Sequence, residues 1–272
     1  MQHKKIAFIG AGNMAFAIIS GLIKSGYPAA HIIARNKSNE ARREQLRAMG
    51  VQVELDNVQA VEQADVVILA VKPQMMSDVC AEFAQVDFRQ KWVISVAAGI
   101  SVARLEQLLP TAKNIVRTMP NTPSLIGEGI SGLFAKKSVE QTACQFAEQL
   151  LSAVGKCYWV ETEAQLNQII AITGSSPAYF FKFMEAMQDA AVKMGFSEPD
   201  ARYLVQSVAL GAAKMVVENP ELPLATLREN VTSKGGTTAQ ALAVFEQREL
   251  TATVEQAMLA AIKRAEEMEK LL

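Results

Sequence analysis

The stretch Ile6-Ala7-Phe8-Ile9-Gly10-Ala11-Gly12-Asn13-Met14-Ala15 decides the fold. The apolar run Ile6 to Ile9 is strand-like, and past the glycines Ile18, Ile19, Leu22 and Ile23 recur at helical spacing. Between strand and helix lies a GxGxxA turn. Gly10 permits the tight bend, Gly12 lets the backbone approach a pyrophosphate, and Ala15 lets helix and strand pack closely, with the phosphates resting on the helix N-terminus. Two glycines alone are a weak signal. With a strand before them and a helix after them, the stretch reads as a Rossmann-type dinucleotide site, weighed against a structural turn that holds no phosphate.

The position that separates NAD from NADP lies about twenty residues beyond that turn. An NAD site presents an acidic side chain there, whereas this chain has Ala34-Arg35-Asn36-Lys37-Ser38. Arg35 accommodates a 2′-phosphate and Lys37 and Ser38 add donors, so NADPH is favoured over NADH. The bland alternative is a solvated, charged turn. Two further loops, Ala70-Val71-Lys72-Pro73 and Ser95-Val96-Ala97-Ala98-Gly99, follow strand-like runs. They fall where open α/β sheets bind ligands, and their small residues leave room for a nicotinamide ribose.

From Lys4 to about Val160, strand-like runs (Ile6 to Ile9, His31 to Ala34, Asp65 to Val71, Trp92 to Val96, Asn114 to Arg117) alternate with amphipathic stretches. That alternation implies parallel strands joined by right-handed helical crossovers. After Glu161 the period changes. Phe180, Phe183, Met184, Met187, Ala191 and Met194 recur at spacings of three and four, as do Leu204, Val205, Val208, Ala212 and Met215. A last helix runs from about Thr253 to Leu272. The expected organisation is a parallel-sheet domain over 1–160 and an all-helical domain over 161–272, with Pro177 inside or at the start of the first long helix. So many apolar faces on so short a segment suggest packing against a second copy of the chain, with a self-contained bundle as the alternative.

Composition sets outer bounds. The chain has 272 residues, half of them hydrophobic, enough for two modest cores. Lysine and arginine number 27 against 28 acidic residues, so no overall field gathers nucleic acid or an anionic membrane. Cys80, Cys144 and Cys157 are odd in number and form no CxxC pair, which suits a reducing cytoplasm and argues against a disulfide or zinc framework. Lys4 and Lys5 before the apolar stretch Ile6 to Ile23 imitate a secretory signal, but Gly10, Gly12 and Asn13 interrupt its apolar core. No segment approaches a membrane span of about 20 apolar residues.

The two histidines, His3 and His31, sit at the frayed start and at the entry to the second strand. Neither suits acid–base work, which disfavours alcohol and 2-hydroxyacid dehydrogenases that rely on a histidine or a metal ion. A carbon–nitrogen double bond is an easier acceptor, because the protonated imine already carries the charge that hydride neutralises. It needs mainly positioning and a hydroxyl or water for proton exchange. Near the C-terminus, Asn230-Val231-Thr232-Ser233-Lys234-Gly235-Gly236-Thr237-Thr238 leads into the apolar stretch Ala239 to Phe245. Glycines and hydroxyls at a helix start expose backbone N–H groups to an anion, such as a substrate carboxylate. An ordinary N-cap explains the same pattern.

Taken in order, GAGNMA, AVKP, SVAAGI, VRTMPNTP (Val116 to Pro123), TGSSPAY (Thr173 to Tyr179) and NVTSKGGTT closely resemble the pyrroline-5-carboxylate reductase family over nearly the whole chain. The resemblance implies an N-terminal Rossmann domain and a C-terminal helical domain that interleaves with a second subunit, the homodimers assembling into a decamer. It implies NADPH-dependent reduction of 1-pyrroline-5-carboxylate to proline, with cofactor contacts from Ala11 to Met14, at Arg35, Lys37, Asn57, Ala70, Val71, Lys72, Ala97 and Asn230. It places the substrate carboxylate on Ser233, Thr237 and Thr238, gives Thr238 the proton for the ring nitrogen, and lets Glu163 line the site. Lys234 replaces the proline common before the glycine pair, and Glu246 to Leu250 lacks a glycine often found there, both of which bear on loop shape. A 3-hydroxyacid dehydrogenase of the same plan would use a lysine at Lys182 and an asparagine at 186, where this chain has Ala186. A non-catalytic NADP-binding regulator would keep the glycine turn but have no use for Ser233, Thr237 and Thr238.

Overall fold

The structure, a computed structural model, describes residues 3–271. It forms two compact units, one running to Ser175 and resuming at Ala261, the other spanning Ser176–Ala260. The first unit therefore carries on past residue 160, where the change of period had placed the boundary, and takes back the last stretch of the chain.

The first unit is built on an eight-stranded sheet of β1 (Ile6–Ile9), β2 (Ile32–Arg35), β3 (Gln52–Glu54), β4 (Val66–Leu69), β5 (Trp92–Ser95), β6 (Asn114–Met119), β7 (Gly129–Ala135) and β8 (Gly155–Trp159). Their spatial order is β3-β2-β1-β4-β5-β6-β7-β8. The first six are mutually parallel. Its helices are α1 (Asn13–Lys24), α2 (Glu40–Ala48), α3 (Asn57–Glu62), α4 (Met76–Ala81), α5 (Val102–Leu108), α6 (Gln141–Ser152) and α7 (Gln165–Ile169). Side chains alternate across a strand, so Ile6 and Phe8 join Ile18, Leu22 and Leu150 on one face while Ala7 and Ile9 join Val61, Val79 and Leu105 on the other. Helices cover both faces, which is why β1 and β4 are apolar at every position rather than at alternate ones. The apolar N-terminal stretch is thus spent inside the fold, on β1 and α1.

Strand β7 departs from the all-parallel expectation and runs antiparallel to β6. The connection between them holds only a 3₁₀ turn, Thr122–Ile126, too short for the crossover that a parallel partner needs. Strands β3, β7 and β8 carry little strand signal. β3 is a three-residue edge strand, and the ends of β7 and β8 are glycines, where a Cβ on Gly155 would lie 1.9 Å from the Gly129 carbonyl oxygen.

The second unit holds α8 (Ser176–Lys193), α9 (Glu198–Glu218), α10 (Leu224–Asn230), α11 (Thr237–Gln247) and the start of α12 (Leu250–Leu271). The end expected for α12, Leu272, lies outside the described residues. Pro177 is the second residue of α8, so the helix begins with it rather than bending at it. Upstream, the π turn Ile170–Gly174 ends with the Thr173 carbonyl accepting from Asn121 Nδ2 at 2.9 Å. In an unbroken helix that carbonyl would face residue 177, whose proline nitrogen has no hydrogen to give. Among the described residues of this unit only Ala201 and Val205 are buried.

Candidate active site

The strand order reverses between β1 and β4, and the carboxyl ends of those strands carry the glycine turn. Gly10 has φ +94°, and a Cβ there would lie 2.8 Å from both the carbonyl carbon and oxygen of Ala70. The turn is stitched to β2 as well: Gly10 and Ala11 N–H both donate to the Arg35 carbonyl, and Asn36 Nδ2 donates to the Ala11 carbonyl at 2.8 Å. Ala15 is buried against the sheet, as its packing role requires. Gly12 caps α1 without a side-chain bond and has nothing within 4 Å of its missing Cβ. The first helical bond is Phe16 N–H to the Gly12 carbonyl, so the N–H groups of Asn13, Met14 and Ala15 remain open, with no acid in that turn.

Gly10 to Met14, Arg35, Lys37, Asn57, Ala70, Val71, Lys72 and Ala97 all belong to the first unit. Arg35 ends β2, and its Nε is buried without a partner; Lys37 is exposed just beyond it. Asn57 starts α3, is buried, and donates from Nδ2 to Glu82 Oε2 at 2.7 Å while its Oδ1 has no partner. Open helix N–H groups, a Gly12 with no room taken, and orphaned atoms on Arg35 and Asn57 fit a dinucleotide carrying a 2′-phosphate. Ala97 is buried in the turn after β5, its N–H held by Ser95 Oγ at 3.3 Å, so it offers backbone rather than side chain.

Ser233, Thr237, Thr238 and Asn230 belong to the second unit. Gly235 has φ +74°, and Gly236 caps α11 with no side-chain bond. A Cβ on Gly236 would lie 2.4 Å from Ser233 Oγ, so the glycine is what lets that hydroxyl tuck beneath the helix start. Gln240 N–H makes the first helical bond, to the Gly236 carbonyl, leaving the N–H groups of Thr237, Thr238 and Ala239 open. None of the three hydroxyls caps the helix: the N-cap is Gly236 itself, so the hydroxyls of Ser233, Thr237 and Thr238 are not spent on the helix start.

Glu163 belongs to the first unit, where one of its oxygens is engaged. Its Oε1 accepts the N–H of Val102, the first residue of α5, at 2.7 Å and lies 2.8 Å from Arg117 Nη1. Arg117 is fully buried on β6, with Nη1 also 2.6 Å from Glu269 Oε1, whose other oxygen accepts from Asn167 Nδ2 at 3.1 Å. Arg117 Nε and Nη2 have no partner. No motif marks Arg117, although a charge in the middle of Asn114-Ile115-Val116-Arg117-Thr118-Met119 demands a buried counter-ion. Lys182, the residue of the rival dehydrogenase reading, is exposed and paired with Glu185. His31 enters β2 at the end opposite Arg35 and contacts His3, and no group of metal ligands occurs among the described residues.

Residues 163–268 match the family model for pyrroline-5-carboxylate reductase dimerisation, and residues 5–99 match that for coenzyme F420-dependent NADP oxidoreductases. A pyrroline-5-carboxylate reductase from Vibrio alginolyticus is 58% identical over 272 residues, covering 100% of both chains. Among solved structures, a pyrroline-5-carboxylate reductase from Coxiella burnetii superposes with a TM-score of 0.90 at 41% identity, covering 98% of this chain and 99% of the other. A pyrroline carboxylate reductase from Plasmodium falciparum with NADP bound gives 0.88 at 27% identity, covering 99% of each.

Proposed function

The chain belongs to the pyrroline-5-carboxylate reductase family, and we propose that it reduces 1-pyrroline-5-carboxylate to L-proline with NADPH, the last step in making that amino acid. The observation that carries the reading is the pair of open helix starts, α1 behind a glycine turn beside Arg35 and α11 behind Gly235-Gly236 beside three unspent hydroxyls. NADPH, when bound, supplies the hydride. The chain's own groups hold and protonate. N–H groups of Asn13 and Met14 cradle the pyrophosphate, and Arg35 and Lys37 take the 2′-phosphate. Asn57 Oδ1 and the loops at Ala70 to Lys72 and Ala97 receive the sugars and nicotinamide, with Asn230 completing the set. Ser233, Thr237 and Thr238 hold the substrate carboxylate, and the Thr238 hydroxyl gives the ring nitrogen its proton.

Glu163 acts one step back in this account, fixing the start of α5 through Val102 rather than touching substrate. The match over 163–268 supports a functional division at residue 160, with a nucleotide domain before it and a helical dimerisation and substrate domain after it. The working form is at least a homodimer, built into a decamer, and the compartment is the cytoplasm. All three cysteines are free, and burial pushes the Cys80 thiol up to about 11, which suits a chain with no redox or disulfide duty. No described helix is long and apolar enough to cross a membrane.

The test is NADPH oxidation with pyrroline-5-carboxylate beside a six-membered cyclic imine acid, a 3-hydroxyacid assayed in reverse, and a pyrroline ring without a carboxylate. Turnover should be highest with pyrroline-5-carboxylate and poor with the ring that has no carboxylate. Equal efficiency on that ring would remove α11 from the substrate site.

A further inference from the structure

Arg42 and Arg43 are neighbours in the first turn of α2, and the fold uses them differently. Arg43 is consumed by the turn between β2 and α2: its Nη1 donates to the carbonyls of Asn36 at 2.8 Å and Lys37 at 2.9 Å, and its Nε to Glu40 Oε2 at 2.9 Å. Glu40, the acid of that turn, is held from the other side by Arg47 at 2.9 Å. The guanidinium bonds, Arg43's first and Arg47's after it, keep its carboxyl below the usual range. The negative charge nearest the turn is therefore already matched.

Arg42 reaches away from α2. Its guanidinium lies over the Phe16 ring, 4.0 Å from the centroid, and its Nη2 donates to Asn13 Oδ1 at 2.9 Å. Both anchors are on the first turns of α1, whose N–H groups are open. Its Nε and Nη1 have no acceptor among the described residues. An arginine fixed by stacking on one face and one bond at one edge keeps a free edge aimed by its anchors, with much of its side-chain freedom already lost before any ligand arrives.

We propose that Arg42 is a specificity-determining residue for the cofactor, a third cation that with Arg35 and Lys37 recognises the 2′-phosphate. This rests on the NADPH reading above. The corner is a connected one: the Arg35 carbonyl receives Gly10 and Ala11, Asn36 binds the Ala11 carbonyl, and Arg42 binds Asn13, so the end of β2, the start of α2 and the start of α1 are laced together. A lysine at 42 would keep the charge but lose the planar stack and the forked donors.

The experiment is a fluorescence titration of the full-length protein with NADPH and with NADH, and competition by 2′,5′-ADP against 5′-ADP, for wild type, Arg42→Ala, Arg42→Lys and Arg35→Ala. Arg42→Ala should weaken NADPH and 2′,5′-ADP by about tenfold, the size of one solvent-accessible charge-assisted bond, and leave NADH within about twofold. Arg42→Lys should recover part of the loss. Equal weakening of both cofactors, or no weakening, would overturn the proposal. If Arg35→Ala loses NADPH preference and Arg42→Ala does not, the NADPH reading stands and this one falls; if neither variant does, the 2′-phosphate reading itself falls. Arg42→Gln, checked by melting temperature, replaces the alanine variant should that fail to fold, and the same outcomes apply to it.

Discussion

Phe8 and Phe180 are the same side chain in opposite circumstances. Phe8, in β1, is wholly buried between sheet and helices, whereas Phe180, on α8, is 69% exposed. The contrast extends to the two units. In the first, apolar strand residues are buried on both faces, and even its buried cation, Arg117, has carboxylates against it. In the second, Met194 is 76% exposed, Val217 is 64% exposed, and a groove of about 710 Å³ between α8 and α9 is lined by Ala178, Phe181, Met184 and Val205 beside charged ends. A helix with apolar residues and no buried face lacks the main source of helix stability in water. The first unit is finished within one chain, and the second leaves apolar helix faces exposed that a second copy of the chain is expected to cover. The match of residues 163–268 to a dimerisation family model supports that expectation.

The sharpest break of this comparison is a charge at an apolar site that is exposed in the single chain. Phe180→Glu should leave the single chain folded and NADPH binding intact but abolish assembly and, with it, reduction, read by gel filtration, cofactor titration and turnover. The same change at Phe8 should prevent folding altogether, since truncating a buried phenylalanine already costs about 3 to 5 kcal/mol. Equal behaviour of the two variants would erase the distinction drawn here.

Next in size is Arg117→Ala, which removes the cation from a buried pair and should cost about 3 kcal/mol of unfolding free energy, measured in urea. Lys182→Ala breaks an exposed pair in the other unit and should leave the denaturation midpoint unchanged. Thr238→Ala then tests chemistry rather than stability: it keeps the α11 backbone donors and removes the hydroxyl, so turnover should drop by about 10²-fold with a smaller change in substrate affinity. Arg35→Ala touches the cofactor alone and is expected to weaken NADPH by about tenfold to a hundredfold and to spare NADH. Wild-type cofactor preference in that variant would make Arg35 a structural residue.

What could be read from the sequence follows the same division. Strands β1, β2, β4 and β5 were legible because buried parallel strands are short, largely apolar runs, and β6 through its β-branched Ile115-Val116 despite the charge that follows. The edge strands β3 and β8 were not, since β3 is three residues long and β8 alternates in burial, and β7 hides behind glycines that its backbone contacts require. The glycine turn and Arg35 were legible as spacing. Arg42 was not, because a surface arginine on a charged helix looks like solvated charge until Phe16 and Asn13 are seen beneath it. Glu163 could be placed near the site by resemblance, but its attachment to Val102 and Arg117 depends on loops that meet only in three dimensions. The helix period after residue 161 announced apolar faces without saying what covers them.

What covers them is settled most directly by light scattering on the purified chain at micromolar concentration, with activity assayed on the same peak. The account predicts a mass that is a multiple of 29.5 kDa, at least twofold, with all reductase activity in that peak. A monomer of 29.5 kDa that reduces pyrroline-5-carboxylate at full rate would contradict it.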